Sequence, residues 1–165
     1  MRQLVKNLTL QATTANAQLS ELGGPGIEAG PVGFRVISAL DLTESVLRRC
    51  GIQRGMRVLE FECSGGNASL SIARLIGPSG LVVGVDRSAE AIDAAEKRAT
   101  IAGCCYWTRF VIADPNTFVP HERFDAVVAR LTLLHQGERA AFQRLSACVR
   151  PGGLVVFVPA KAALT

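Results

Sequence analysis

Short apolar runs and amphipathic stripes alternate along this chain. Residues 58–61, 81–85, 107–112, 124–129 and 154–158 are near-continuous apolar runs of strand length, the last running from Leu154 to Val158. Between them lie stripes of helical period: 68–76, then 89–99 with Ile92, Ala95 and Ala99 inside, then 138–149 with Ala141, Phe142, Leu145 and Cys148 on one face. Ser88 stands where it can cap the second of these helices, and Gly/Pro clusters at 77–80 and 150–153 end the helices before them. Upstream, Val36, Ile37, Leu40, Thr43 and Leu47 also recur at helical spacing, so a helix closed by Cys50-Gly51 is expected before the first strand. Strands apolar on both faces, alternating with helices, predict an α/β fold: a doubly wound, Rossmann-like parallel sheet. Right-handed crossovers with a reversal of winding after the third strand give the order 3-2-1-4-5 and open a crevice beside strand one.

Ligands bind outside the carboxyl ends of strands at such a crevice, and three acids fall there: Glu60, Asp86 and Asp114. The first strand ends on Glu60, turns through Glu62-Cys63-Ser64-Gly65-Gly66 and enters a helix, which aims free N–H groups at whatever occupies the turn. Asp86 lies 20 residues beyond Gly66, near the spacing at which an acid accepts hydrogen bonds from ribose hydroxyls. A dinucleotide would satisfy that spacing equally. Asp114, just before Pro115, reads as well as a turn residue as it does as a ligand contact.

Composition narrows the class. A chain of 165 residues with 48% hydrophobic and 19% charged positions has room for one α/β domain, expected over 31–165, preceded by a polar N-terminal arm or lid over 1–30. Leu4, Leu8, Leu19 and Leu22 could dock that arm on the body or on another copy; a frayed terminus is the alternative. The net charge of +4 is spread along the chain without a Lys/Arg block, so neither nucleic acid nor a membrane is the expected partner. Five cysteines without a C-x-x-C pair or histidines at ligand spacing make metal binding unexpected and suit buried thiols in a reducing, cytoplasmic setting. Interrupting polar residues in the first fifteen positions argue against a signal peptide.

Five blocks resemble the class I S-adenosylmethionine-dependent methyltransferases, in particular the small-molecule type related to quinone-biosynthesis enzymes. They are Gly55-Met56-Arg57-Val58-Leu59-Glu60, the run from Gly77 through Asp86 to Ser88, Arg109-Phe110-Val111-Ile112-Ala113-Asp114, Phe124-Asp125-Ala126-Val127-Val128, and Val149-Arg150-Pro151-Gly152-Gly153. The resemblance implies S-adenosylmethionine as cofactor and a small-molecule methyl acceptor. It also implies that Glu60 orients the methionine end through the loop of Cys63, Gly65 and Gly66, that Asp86 holds the ribose and Asp114 the adenine amino group, and that Arg87 and Pro115 flank the adenine. The catalytic residue is not identified; His135, just after the fourth strand, is the candidate base on the acceptor side.

Two departures from the family pattern bear on activity. Its loop carries glycines where this chain has Glu62, Ser64 and Gly66, so a left-handed backbone at Glu62 would be strained; Gly65 offers an alternative, a turn shifted by one residue. The family also continues into further strands after the fifth, so 154–158 is expected to be a bare apolar edge that a homodimer or a partner chain covers. The second functional reading is accordingly a non-catalytic methyltransferase-like module acting through association. A nicotinamide-dependent oxidoreductase fits less well, because the fingerprint glycines are displaced.

Overall fold

The structure, a computed structural model, describes residues 32–37 and 42–158; the arm expected over 1–30 lies outside them. Six strands, β1 (Gly33–Val36), β2 (Arg57–Phe61), β3 (Leu81–Asp86), β4 (Thr108–Ile112), β5 (Phe124–Arg130) and β6 (Val149–Val158), form one parallel sheet. Their spatial order is β1-β6-β5-β2-β3-β4. Taken from the β4 edge, the five expected strands stand in the expected order, with β1 added beyond the last. Winding reverses between β4 and β5, which places the crevice at the carboxyl ends of β2 and β5.

The helices are α1 (Glu44–Cys50), α2 (Asn67–Ile76), α3 (Ala89–Ile101) and α4 (Glu138–Ala147), with 3-10 turns at Cys105–Trp107 and Leu131–Gln136. Ser88 caps α3 as expected, its hydroxyl accepting from the Ala91 N–H at 3.1 Å. Successive strand residues face opposite sides of the sheet, and both sides are covered. On one side Val58, Val82, Ala126, Val128 and Val156 pack with Leu47 of α1, Ile72 and Ile76 of α2 and Ala99 of α3. On the other, Leu59, Phe61, Val127, Val155 and Phe157 pack with Phe142 and Leu145 of α4. The same alternation turns Glu60 to the α2 side, where it is only 2% exposed.

Two expectations are corrected at the start of the described chain. The helical stripe running from Val36 is not one helix: Gly33–Val36 is a strand, and α1 begins only at Glu44, capped by Thr43. Leu40 lies outside the described residues. The edge at 154–158 is also not bare, because β1 pairs along it in parallel register, from Gly33 opposite Leu154 to Val36 opposite Phe157. The reason for a homodimer or partner chain at Leu154–Val158 therefore falls away. The β6 backbone groups that would template another chain are used instead by the chain's own N-terminal strand, as where the Ile37 N–H donates to the Phe157 carbonyl at 3.0 Å.

Pairing with β6 overrides the weak helical periodicity because it satisfies backbone groups and buries an aromatic ring together. Phe34 sits edge-on to Phe142, with ring centroids 5.2 Å apart, and Phe142 meets Phe157 in the same way at 5.3 Å. Phe34→Ala should then cost about 3 kcal/mol of stability, the lower end for a buried phenylalanine, in reversible denaturant unfolding. A loss of less than about 1 kcal/mol would mean that β1 is not part of the cooperative fold.

Candidate functional site

The strand-to-helix turn after β2 is the centre of the site. Phe61 leaves the sheet and Asn67 begins α2, so five residues must reverse the chain. Glu62 (φ 57°), Ser64 (φ 51°) and Gly66 (φ 81°) all take left-handed backbone, whereas Gly65 does not. The turn therefore has not shifted onto Gly65, and the two non-glycine residues bear the strained conformation. Gly66 has a second constraint: a Cβ there would stand 2.8 Å from the Ala95 Cβ, so α3 packs directly on the turn.

Contacts from distant elements hold this shape. The Ser64 N–H donates to Asp86 Oδ2 at 2.8 Å, while Asp86 Oδ1 accepts from the Ser88 N–H at 3.0 Å, so one carboxylate ties the turn to the start of α3. Arg98 of α3 donates to the Gly65 carbonyl at 2.7 Å and to the Asn67 side chain at 2.9 Å. From the other flank, Arg130 Nε at the end of β5 donates to the Glu62 carbonyl at 3.1 Å, and the Thr132 hydroxyl donates to Glu62 Oε2. Beneath the turn, the Ser69 hydroxyl of α2 donates to Glu60 Oε2, giving the buried carboxylate a partner.

The remaining site residues fall into distinct places. Asp114 and Arg87 are both exposed at the ends of β4 and β3 and form an ion pair at 3.1 Å. The Asn116 N–H, with Arg87 beside it, holds the Asp114 carboxyl below the usual range. Pro115 is buried, and its carbonyl accepts from Arg144, whose guanidinium lies over the Phe61 ring. Cys63 is turned inward: a Cβ on Gly84 would lie 3.0 Å from its sulfur, and its N–H donates to the Val85 carbonyl at 3.2 Å. Burial, with Glu60 and Asp86 nearby, pushes that thiol well above the ordinary range, so it stays protonated and shapes the turn from below. His135 is exposed in the 3-10 turn after β5. No group of three or more metal-ligating side chains occurs among the described residues.

The structure thus gathers the loop of Cys63, Gly65 and Gly66, Asp86 and the Arg87–Asp114 pair at three adjacent strand ends, with the Glu60 carboxylate buried beneath the loop. Residues 58–153, more than half of the chain, match a family model described as a methyltransferase domain. The chain belongs to the methyltransferase domain family.

Relatives of this methyltransferase domain have diverse acceptors in their names. It is 35% identical over 96 residues to a probable cobalt-precorrin-6B C(15)-methyltransferase (decarboxylating) of Thermoplasma acidophilum, a match covering 57% of the chain and 43% of the relative. Against a 23S rRNA (uracil(1939)-C(5))-methyltransferase of Acinetobacter baumannii it is 37% identical over 90 residues, 51% of the chain and 19% of the relative. A ubiquinone/menaquinone biosynthesis C-methyltransferase of Azotobacter vinelandii is 29% identical over 105 residues, 62% of the chain and 42% of the relative. The methyltransferase domain spans less than half the length of each of these relatives. Its fold is also that of a methyltransferase from Thiobacillus denitrificans solved with S-adenosyl-L-homocysteine, with TM-score 0.63 and 21% identity over 73% of the chain and 50% of the other.

Sequence reasoning missed Ser69, Arg98, Arg130 and Thr132. Ser69 carried a signal, a polar residue on the inward stripe of α2, whereas Thr132 lies 70 residues from the glutamate it holds and had none. The strained turn gives a direct test. Ser64→Val places a β-branched residue at positive φ and should destabilise the domain by about 1–3 kcal/mol. Ser64→Gly, which loses no side-chain hydrogen bond among the described residues, should unfold at the same denaturant concentration as the parent or higher. Equal stability of the glycine and valine variants would show that the left-handed turn is not formed.

Proposed function

We propose that this domain carries S-adenosylmethionine-dependent methyl transfer to a small-molecule acceptor. The observation that carries this reading is the left-handed backbone at Glu62, Ser64 and Gly66, the three positions where the family's loop has glycine. Loss of two glycines has left the shape of the turn in place.

The residues fit the cofactor. Each Asp86 oxygen accepts one backbone N–H, which leaves lone pairs on both for a pair of ribose hydroxyls, and the side chain is only half-buried. Asp114 would meet the adenine amino group, with Arg87 and Pro115 beside the ring; the exposed Arg87–Asp114 pair is placed to open or shift for it. Glu60 acts through the turn that it underlies, and Cys63, Gly65 and Gly66 contribute backbone shape. When bound, the cofactor supplies a methyl group already on a good leaving atom. What remains for the chain is alignment and exclusion of water, so a general base is optional and His135 is the imidazole nearest in sequence to the acceptor side.

Two named relatives with small-molecule acceptors, together with the absence of a Lys/Arg block, support a small molecule over nucleic acid. No helix among the described residues is long and apolar enough to cross a membrane. Five cysteines present as free thiols, four of them buried, support a cytoplasmic setting. We read residues 31–165 as the catalytic domain and 1–30 as an N-terminal arm or lid.

A calorimetric titration with S-adenosylmethionine tests the proposal. The parent chain should bind, and Asp86→Asn should weaken binding by about 1.5–3 kcal/mol, the contribution of a hydrogen bond to a charged group. Absence of binding by folded parent protein would leave the non-catalytic reading standing.

A further inference from the structure

Glu62 is the side chain that the proposed function does not use. It stands where a glycine would be free of strain, yet it places a half-buried carboxylate at the mouth of the crevice. Its position is defined: Thr132 holds Oε2, and Arg130 holds the carbonyl of the same residue. The other carboxylate oxygen, Oε1, has no hydrogen-bond partner among the described residues, and none of the ion pairs there includes Glu62. Although the Arg130 guanidinium reaches the Glu62 carbonyl, no ion pair among the described residues neutralises the carboxylate itself, and partial exclusion of water strengthens its attraction for a cation brought to it.

The order of strands says which cation that would be. Across the crevice the acids run Asp114 after β4, Asp86 at β3 and Glu60 at β2, and the Glu62–Thr132 contact joins the turn after β2 to the 3-10 turn after β5. With adenine at Asp114 and ribose at Asp86, the next atoms of the donor along this line are the sulfur on the ribose 5′ carbon and the amino-acid chain. On that reading these would lie toward β2 and β5. In S-adenosylmethionine that sulfur is a sulfonium carrying a full positive charge; after the methyl group has left, in S-adenosylhomocysteine, it is a neutral thioether.

We infer that the Glu62 carboxylate, held by Thr132 at the boundary of β2 and β5, reads the charge on the donor sulfur and makes the site prefer the sulfonium donor to its thioether product. This rests on the reading of the crevice as a donor site. The consequence is a site that loosens its hold when the methyl group leaves. The amino and carboxylate groups at the far end are common to both ligands, so whatever Glu62 does to them cancels in the comparison; only the sulfur differs in charge.

The test is calorimetric titration of the full chain and two variants with S-adenosylmethionine and, separately, S-adenosylhomocysteine. Glu62→Gln keeps shape and removes charge. It should weaken the sulfonium ligand about tenfold and the thioether less than about twofold, a selectivity change of about five- to tenfold, or about 1.0–1.4 kcal/mol. Glu62→Gly removes the charge while relieving the left-handed strain, so it should fold at least as well. It should bind the thioether as tightly as the parent or tighter, and show the same collapse of selectivity. In the parent, the preference should shrink as salt is raised. Equal losses on both ligands in the Gln variant would mean that Glu62 merely pins the turn, and an unchanged ratio in the Gly variant would remove the charge from the explanation; either overturns this inference and leaves the donor site intact. Binding of neither ligand by the parent overturns both.

Discussion

The turn between β2 and α2 reverses the chain within five residues, and it does so with left-handed backbone at Glu62, Ser64 and Gly66. For the two non-glycine residues this costs on the order of 1 kcal/mol or more each. Such a conformation persists only if other contacts require it. Here they come from three directions: Asp86 from β3, Arg98 from α3, and Arg130 with Thr132 from the end of β5. Hydrogen bonds to charged groups contribute about 1.5–3 kcal/mol each, enough to offset the strain. The crevice is thus shaped by long-range contacts around a turn whose own residues resist it.

Those contacts also join the parts of the sheet on either side of the winding reversal. β3 and β5 flank β2 but are separated by a switch in direction, and the turn is the point that both grip, β3 through Asp86 and β5 through Arg130. Below it, Glu60 shows what it takes to bury a carboxylate beside such a site. At 2% exposure it must have a hydrogen-bonded partner, and the Ser69 hydroxyl, in the first turn of α2, supplies one. The helix N-terminus adds a favourable field for the negative charge.

Much of this was legible in the sequence because it depends on local pattern. The apolar runs at 58–61, 81–85 and 124–129 name their strands, and Ser88 names its helix start, since burial on both faces and an N-cap leave marks on adjacent residues. Strain at Glu62 was also readable, from where the family keeps glycine, though a turn shifted onto Gly65 would have fitted the same residues. What was not legible depends on residues far apart in sequence. Gly33–Val36 is a strand because β6 offers an unpaired edge and Phe142 a ring to pack on, and neither fact is visible within the segment. The grip of Thr132 on a glutamate 70 residues earlier is of the same kind.

The held turn bears on the choice between an enzyme and a module that has lost its ligand. Without the contacts that hold it, the turn could relax toward Gly65, the adjacent residue best suited to positive φ, and so lower the strain at Glu62 and Ser64. The turn does not take that route. A Cβ on Gly65 would collide at 2.6 Å with the Arg98 guanidinium, which shows how closely that side chain covers the one glycine whose flip would relax the loop. Arg98, Asp86 and Arg130 together oppose the low-energy alternative. The backbone they preserve is left-handed at the three positions where the family's loop has glycine, gripped by Asp86 at Ser64 and by Arg130 at Glu62, so the two changed residues alone give no reason to prefer the module.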